Sequence, residues 1–187
     1  MIELRDGLIL YHGSYTQVRN PDLSKCARFK DFGKGFYLSS SLRQATSFAR
    51  LSLRKARENG LVSSSHSKGF VSAFRVALAN DEAIKVRTFP TADVDWLKCI
   101  SAHRRRGAFE SVLAEMSNYD VIIGKVANDQ TNNTLVTYLS GGYGPFQSED
   151  AMRICIGLLL PDRLEDQLCF RTRKAISLLR YEEGRLV

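Results

Sequence analysis

The chain has 187 residues, 44% of them hydrophobic and 25% charged. At that length one core buries roughly 70% of the surface an unfolded chain exposes, so residues 1–187 read as a single domain that needs no staple. Cys26, Cys99, Cys155 and Cys169 lie far apart, with no C-x-x-C pair and no histidine at zinc-ligand spacing, which argues against a disulfide scaffold and leaves no metal site to expect. Twenty-seven Lys and Arg against twenty Asp and Glu give a net charge of +7. That surplus favours polyanionic company such as nucleotides, RNA or DNA. Glu3, Arg5 and Asp6 interrupt the stretch a signal peptide would keep apolar, and the longest apolar run, from Ile154 to Leu160, has seven residues where a membrane span needs about 20. The expectation is a cytoplasmic protein without a membrane partner.

In chain order, Leu8 to His12 and Gly35 to Leu38 are short apolar runs that read as buried strands. Residues 14 to 34 between them form an irregular, basic loop, longer than connections inside compact domains usually are, and such loops tend to be functional. Ser39, Ser40 and Ser41 offer helix caps, and Leu42, Ala45, Ala49, Leu53 and Ala56 recur at helical spacing until Gly60, which predicts a helix over 41–58. Gly69 to Ala79 and Ile84 to Thr88 have strand character. A second helix opens near Thr91, with Asp93 and Asp95 in its first turn and Arg104, Arg105 and Arg106 in its last, where cations complement the helix dipole. Trp96 on that helix reads as a core anchor.

Asp120 to Gly124 is a buried-strand pattern, followed by the polar run Asn128 to Asn133 and a short helix around Leu135 to Leu139. Gly141 to Pro145 is a loop, Ser148 or Glu149 starts another short helix, and Asp166 to Arg171 is a strand. Thr172 then caps a final helix carrying Ala175, Ile176, Leu178 and Leu179. Strands and helices alternate without a βαβ rhythm, and no G-x-G-x-x-G follows a strand, so the fold class is α+β rather than a doubly wound sheet.

Three segments stand out: Tyr11-His12-Gly13-Ser14, Asp31-Phe32-Gly33-Lys34-Gly35-Phe36-Tyr37-Leu38, and Asp166-Gln167-Leu168-Cys169-Phe170. In their order and spacing the chain resembles the ADP-ribosyltransferase superfamily, in its diphtheria-toxin and poly(ADP-ribose) polymerase branch. With Pro21 to Cys26 and Tyr119 to Gly124 added, the pattern is similar to a bacterial family known as domain of unknown function 3990. The likeness covers most of residues 8 to 182.

The resemblance implies an ADP-ribosyltransferase-like split antiparallel β core with surrounding helices and an NAD cleft. NAD would be the substrate. It implies that His12 hydrogen-bonds a ribose hydroxyl, that Gly13 clamps the nicotinamide carboxamide with its backbone, and that Ser14 and Gly35 are cofactor-binding residues beside them. Tyr37 would stack on the nicotinamide ring, and Phe48, eleven positions on, would supply a second aromatic wall. Lys25, Arg28, Lys30 and Lys34 are candidates for the pyrophosphate. Cleaving nicotinamide from its ribose builds positive charge on the sugar, which a nearby carboxylate usually stabilises. Here Gln167 stands where that branch commonly has Glu. Glutamine can hydrogen-bond a hydroxyl but can neither take a proton nor supply negative charge. Glu165, Asp166, Asp129 and Glu149 are the alternative acids.

The implied activity is a mono-ADP-ribosyltransferase acting on a protein or nucleic-acid acceptor, with a bacterial toxin role and an antitoxin partner as corollaries. Two alternatives stand beside it: an NAD- or ADP-ribose-binding module without turnover, and an enzyme resembling RNA 2′-phosphotransferase.

Overall fold

The first apolar run forms β1 (Ile9–Ser14), which pairs antiparallel along its whole length with β3 (Phe70–Val76) and meets β2 (Phe36–Ser39) at a single register pair, Tyr11 opposite Ser39. β2 continues into β6 (Asp166–Phe170), and β6 into β5 (Val121–Lys125), both antiparallel. β4 (Val86–Thr88) is parallel to β5, and β7 (Leu179–Leu186) closes the opposite edge against β3. The resulting seven-stranded sheet has the order β4-β5-β6-β2-β1-β3-β7. With helices α1 (Leu42–Glu58), α2 (Val94–Arg104), α3 (Glu110–Met116), α4 (Asp129–Leu139), α5 (Glu149–Leu159) and α6 (Arg173–Ile176), the chain is α+β. This computed structural model describes residues 2–63, 65–78, 83–127, 129–159 and 164–187, and of Asp129 and Gln130 the backbone alone. No helix among them is long and apolar enough to cross a membrane.

Strand alternation decides what each face buries. Leu10, Phe36, Leu38, Phe74, Leu168 and Phe170 point to one face and form a single cluster with Val121, Ile123, Ala175 and Leu178. The other face carries two clusters. Ala45 and Ala49 of α1 pack on Val71 and Tyr11 at one end, and Trp96, Ile100, Tyr138, Cys155 and Phe32 pack on Ile122 and Cys169 at the other. β2 lies under the seam between them. Trp96 is wholly buried, as its spacing on α2 predicts, and its indole N–H donates to the carbonyl of Lys125 at 3.0 Å.

Several boundaries follow from named caps. The Ser41 hydroxyl accepts from the N–H of Gln44 and starts α1 one residue later than the pattern alone indicates. Asp93, rather than Thr91, caps α2 by accepting from the N–H of Trp96. Four expectations need correction. The predicted final helix is a single turn, α6; Leu178 falls in the turn after it and Leu179 opens β7. The reason is the open edge of β3, which β7 covers through seven register pairs. The short helix expected around Leu135 to Leu139 already begins at Asp129, inside the polar run, and α3 has no counterpart in the predicted elements. The predicted strand over 69–79 ends at Val76, and its last residue, Ala79, lies outside the described residues.

Candidate functional site

β1 and β2 part company after Tyr11 and Ser39. The N–H of Val76 donates to the carbonyl of Leu8, so the even residues of β1 exchange hydrogen bonds with β3 and the odd ones direct theirs toward β2. Continued, the second ladder would set Gly13 opposite Tyr37. Instead the carbonyl of Tyr37 accepts from the His12 ring, Nδ1 at 2.8 Å, and the pairing ends there. A carbonyl can only accept, so Nδ1 carries the proton. Burial pushes the His12 pKa below its usual value, against the opposing pull of the Tyr37 carbonyl, and keeps the ring neutral. Nε2 is therefore a lone-pair acceptor. The ring packs at 4.4 Å on Phe36.

Gly13 has a steric reason to be glycine: a Cβ there would stand 1.9 Å from the carbonyl oxygen of Ala45 and 2.6 Å from the nitrogen of Ala49. α1 thus presses directly on β1. Gly35 is held the same way from the other side, where a Cβ would stand 2.4 Å from the sulfur of Cys169. Ser14 ends β1, its hydroxyl 3.5 Å from the N–H of Thr16. Phe48 lies on the row Gln44, Phe48, Ser52 along α1. Gln44 is bonded by the Ser39 hydroxyl of β2, and Ser52 accepts from the N–H of Tyr15 just beyond β1 at 3.2 Å. Phe48, 36% exposed, therefore stands on the flank of α1 that faces the parting strands. His12 and Tyr37 meet across β1 and β2, Gly13 is covered by α1, and Phe48 stands on the flank of that helix. Lys25, Arg28, Lys30 and Lys34 stay exposed on the preceding loop.

Tyr37 and Gln167 have further commitments that the sequence does not announce. The Tyr37 hydroxyl donates to the carbonyl of Gly33 at 2.7 Å and accepts from the N–H of Phe32 at 3.0 Å. Burial raises its pKa well above the usual value, so it stays protonated. Phe32 is wholly buried, stacked on Phe89 with centroids 6.1 Å apart and seated over Gly124. Its neighbour Asp31, 6% exposed, forms an ion pair with Arg104 of α2, the Nε contact being 3.0 Å, and accepts from the N–H of Ala127 at 3.1 Å. The Gln167 side-chain amide donates to the same carboxylate at 2.7 Å and to the carbonyl of Lys125 at 3.3 Å. Both amide hydrogens are thus spent inside the protein. The segment Asp31–Gly33 is pinned over the sheet by Tyr37, Gln167, Arg104 and the pocket around Phe32.

The alternative acids fall elsewhere. Glu165 is paired with Arg43 at the start of α1, and Asp166 with Lys125 at 2.9 Å. Glu149 sits in the first turn of α5, and the side chain of Asp129 lies outside the described residues. Among the described residues no group of three His, Cys, Asp or Glu is placed to hold a metal ion.

Residues 8–181 match the family described as "Protein of unknown function (DUF3990)". The chain belongs to that family. None of the curated proteins matches it.

Proposed function

We propose that this member of the DUF3990 family is an NAD-consuming mono-ADP-ribosyltransferase with its nicotinamide site where β1 parts from β2. The observation that carries the reading is the broken ladder at Gly13. A strand that stops pairing in mid-sheet leaves peptide N–H and C=O groups facing the opening, the complement of a carboxamide. The His12 Nε2 lone pair suits a ribose hydroxyl as donor. Tyr37 and Phe48 supply flat apolar surface for a ring that leaves as a neutral molecule. NAD is the substrate in this reading, and the ADP-ribose acceptor is a protein or a nucleic acid.

One observation favours a second reading, an NAD-binding module without turnover. The position that would bring a carboxylate to the ribose carries Gln167, whose amide is engaged with Asp31 and Lys125. Stabilisation of the sugar cation then falls to dipoles rather than to a formal charge.

Nicotinamide release from NAD by the full chain, with intact mass recorded in parallel, separates the two. Release abolished by His12→Ala, with a mass gain of one ADP-ribose on the chain or an added acceptor, supports the transferase. A rise in melting temperature with NAD, lost in His12→Ala and unaccompanied by release, supports the binding module. Absence of any NAD effect refutes both. A toxin role would add growth arrest on expression that His12→Ala relieves.

A further inference from the structure

The flank of α1 turned away from β2 borders a groove of about 490 Å³, lined by Arg50, Arg54, Arg57 and Lys68, with Glu58 as the one acidic side chain among the described residues and Leu53 and Val187 beneath. The lining side chains therefore sum to +3. All four cations are exposed. Arg54 and Glu58 approach no closer than 3.9 Å with both side chains about two-thirds exposed, a pair that leaves Arg54 available. Arg57 is anchored: its guanidinium donates to the carbonyl of His66, with Nε at 3.1 Å, which fixes the fork beside the groove. Lys68 faces it from the segment leading into β3.

In the cluster that looks most basic in the sequence, His103 to Arg106, each arginine already has a partner in the fold. Arg104 is paired with Asp31, Arg105 lies 4.0 Å over the Phe146 ring and donates to the carbonyl of Leu139, and Arg106 covers Phe29. The cations of the α1 groove, by contrast, are exposed and gathered along one line.

We propose that this groove binds the phosphate backbone of a nucleic acid. Arg50, Arg54 and Arg57 project along α1 over about 10 Å at 1.5 Å per residue. A nucleic-acid backbone carries a charge on every nucleotide, and three phosphates balance the +3 of the lining. An acidic peptide carries charge only where Asp or Glu stands, and polyglutamate represents it in the test below. The arginine forks match phosphate oxygens in pairs. Among the described residues no aromatic side chain lines the groove, so it grips backbone and does not stack bases. The site is on the opposite flank of α1 from Phe48 and does not depend on the reading of the NAD cleft.

The test is fluorescence anisotropy of a labelled 20-base-pair DNA duplex and of an RNA duplex with the full chain, titrated between 50 and 200 mM salt, with polyglutamate as competitor. Three neutralised phosphates give binding that weakens about 40-fold over that range. Arg50→Ala with Arg54→Ala lowers the salt slope by about 2, and Lys68→Ala by about 1, while Arg106→Ala leaves it unchanged. Thermal unfolding of each variant checks that these exposed substitutions keep the fold. No binding at 50 mM salt, an unchanged slope in the double variant, or displacement by polyglutamate at lower charge concentration than by unlabelled duplex would overturn the proposal. NAD plays no part in the assay, so its result is independent of the cleft.

Discussion

Gln167→Glu changes one atom type and tests the buried network directly. The Gln167 amide nitrogen lies 2.7 Å from one oxygen of Asp31. A carboxylate put there would face another carboxylate; at that separation and an effective dielectric constant of about 20, the repulsion is about 6 kcal/mol. Arg104 binds the other oxygen of Asp31 and offsets part of it, leaving roughly half, about 3 kcal/mol. That energy moves the introduced carboxyl from its ordinary value of about 4.3 to near pH 6.5 in the folded state. Its folded-state pKa is raised, so the unfolded chain loses the proton first. The destabilisation is then small near pH 4, grows as pH rises through about 4.3, and reaches its full size above about 6.5. At about 2–4 °C per kcal/mol for a chain of this length, the variant melts about 6–12 °C below the parent at pH 8. At pH 4 it loses one hydrogen bond, about 1 kcal/mol. Scanning calorimetry of both proteins from pH 4 to 8 reads the difference. A melting-temperature gap constant across that range would mean that the amide does not face Asp31, and the account of position 167 would fail.

Arg104→Ala leaves Asp31 buried without its cation and should cost about 3–5 kcal/mol in urea unfolding, whereas exposed Arg106→Ala should stay within about 0.5 kcal/mol. Gly13→Ala drives a Cβ to 1.9 Å from a helix carbonyl and should cost about 3 kcal/mol or more, or prevent folding. Gly60→Ala, with φ +68° and nothing within 4 Å, should cost only the strain of a left-handed residue, about 1–2 kcal/mol by the same measurement. Burial lowers the folded-state pKa of His12 and of His103, whose Nδ1–H donates to the carbonyl of Cys99 at 2.8 Å. The unfolded chain then binds protons that the folded one refuses. Stability should fall as pH drops below about 6.5, by at most ~1.4 kcal/mol per pH unit for each histidine. Denaturant unfolding between pH 5.5 and 7.5 checks this, and a flat profile would count against burial of both rings.

The elements legible in the sequence are those whose own side chains carry the signal. α1 repeats Ala45, Ala49, Leu53 and Ala56 against the sheet and begins at a serine cap, and β2 and β6 are short apolar runs bounded by polar residues. β7 is hidden because half of its sequence, LRYEEGRL, is charged and its alternation breaks where Ala73 and Phe74 shift register against it. Its strand character comes from the partner edge of β3. Those charges in turn suit an outer strand, which they protect from further pairing. α3 was hidden for a different reason: Phe109 enters it at φ +45° with no side-chain cap bond, so the usual start signal is missing.

The site divides along the same line. His12, Gly13, Tyr37 and Phe48 are near in sequence to the strands and helix that place them, and motif order suffices to group them. The network beneath could not be read that way, because Asp31 and Gln167 are 136 positions apart and Arg104 reaches them from α2. In the sequence Arg104 has a sufficient local role at a helix end, and Gln167 looks like a lost acid. Joined, they have another logic. Asp31 is buried, and a second carboxylate beside it would have to be matched by a second cation; a glutamine instead donates both hydrogens, to Asp31 and to the Lys125 carbonyl. The amide at position 167 and the acid at position 31 are thus one feature, and it holds the segment Asp31–Gly33 that also takes the Tyr37 hydroxyl. Restoring a carboxylate at 167 alone would therefore loosen that segment before it could help any reaction. A useful gain of acid there requires removal of the Asp31 charge in the same chain; Asp31→Asn relieves the repulsion but sets its amide against the Ala127 N–H, which donates to the same oxygen that Gln167 does, so that Gln167→Glu with Asp31→Asn should recover the pH-dependent part of the loss and not the whole of it. Failure of that rescue in the same calorimetric scan would show the two positions to be uncoupled.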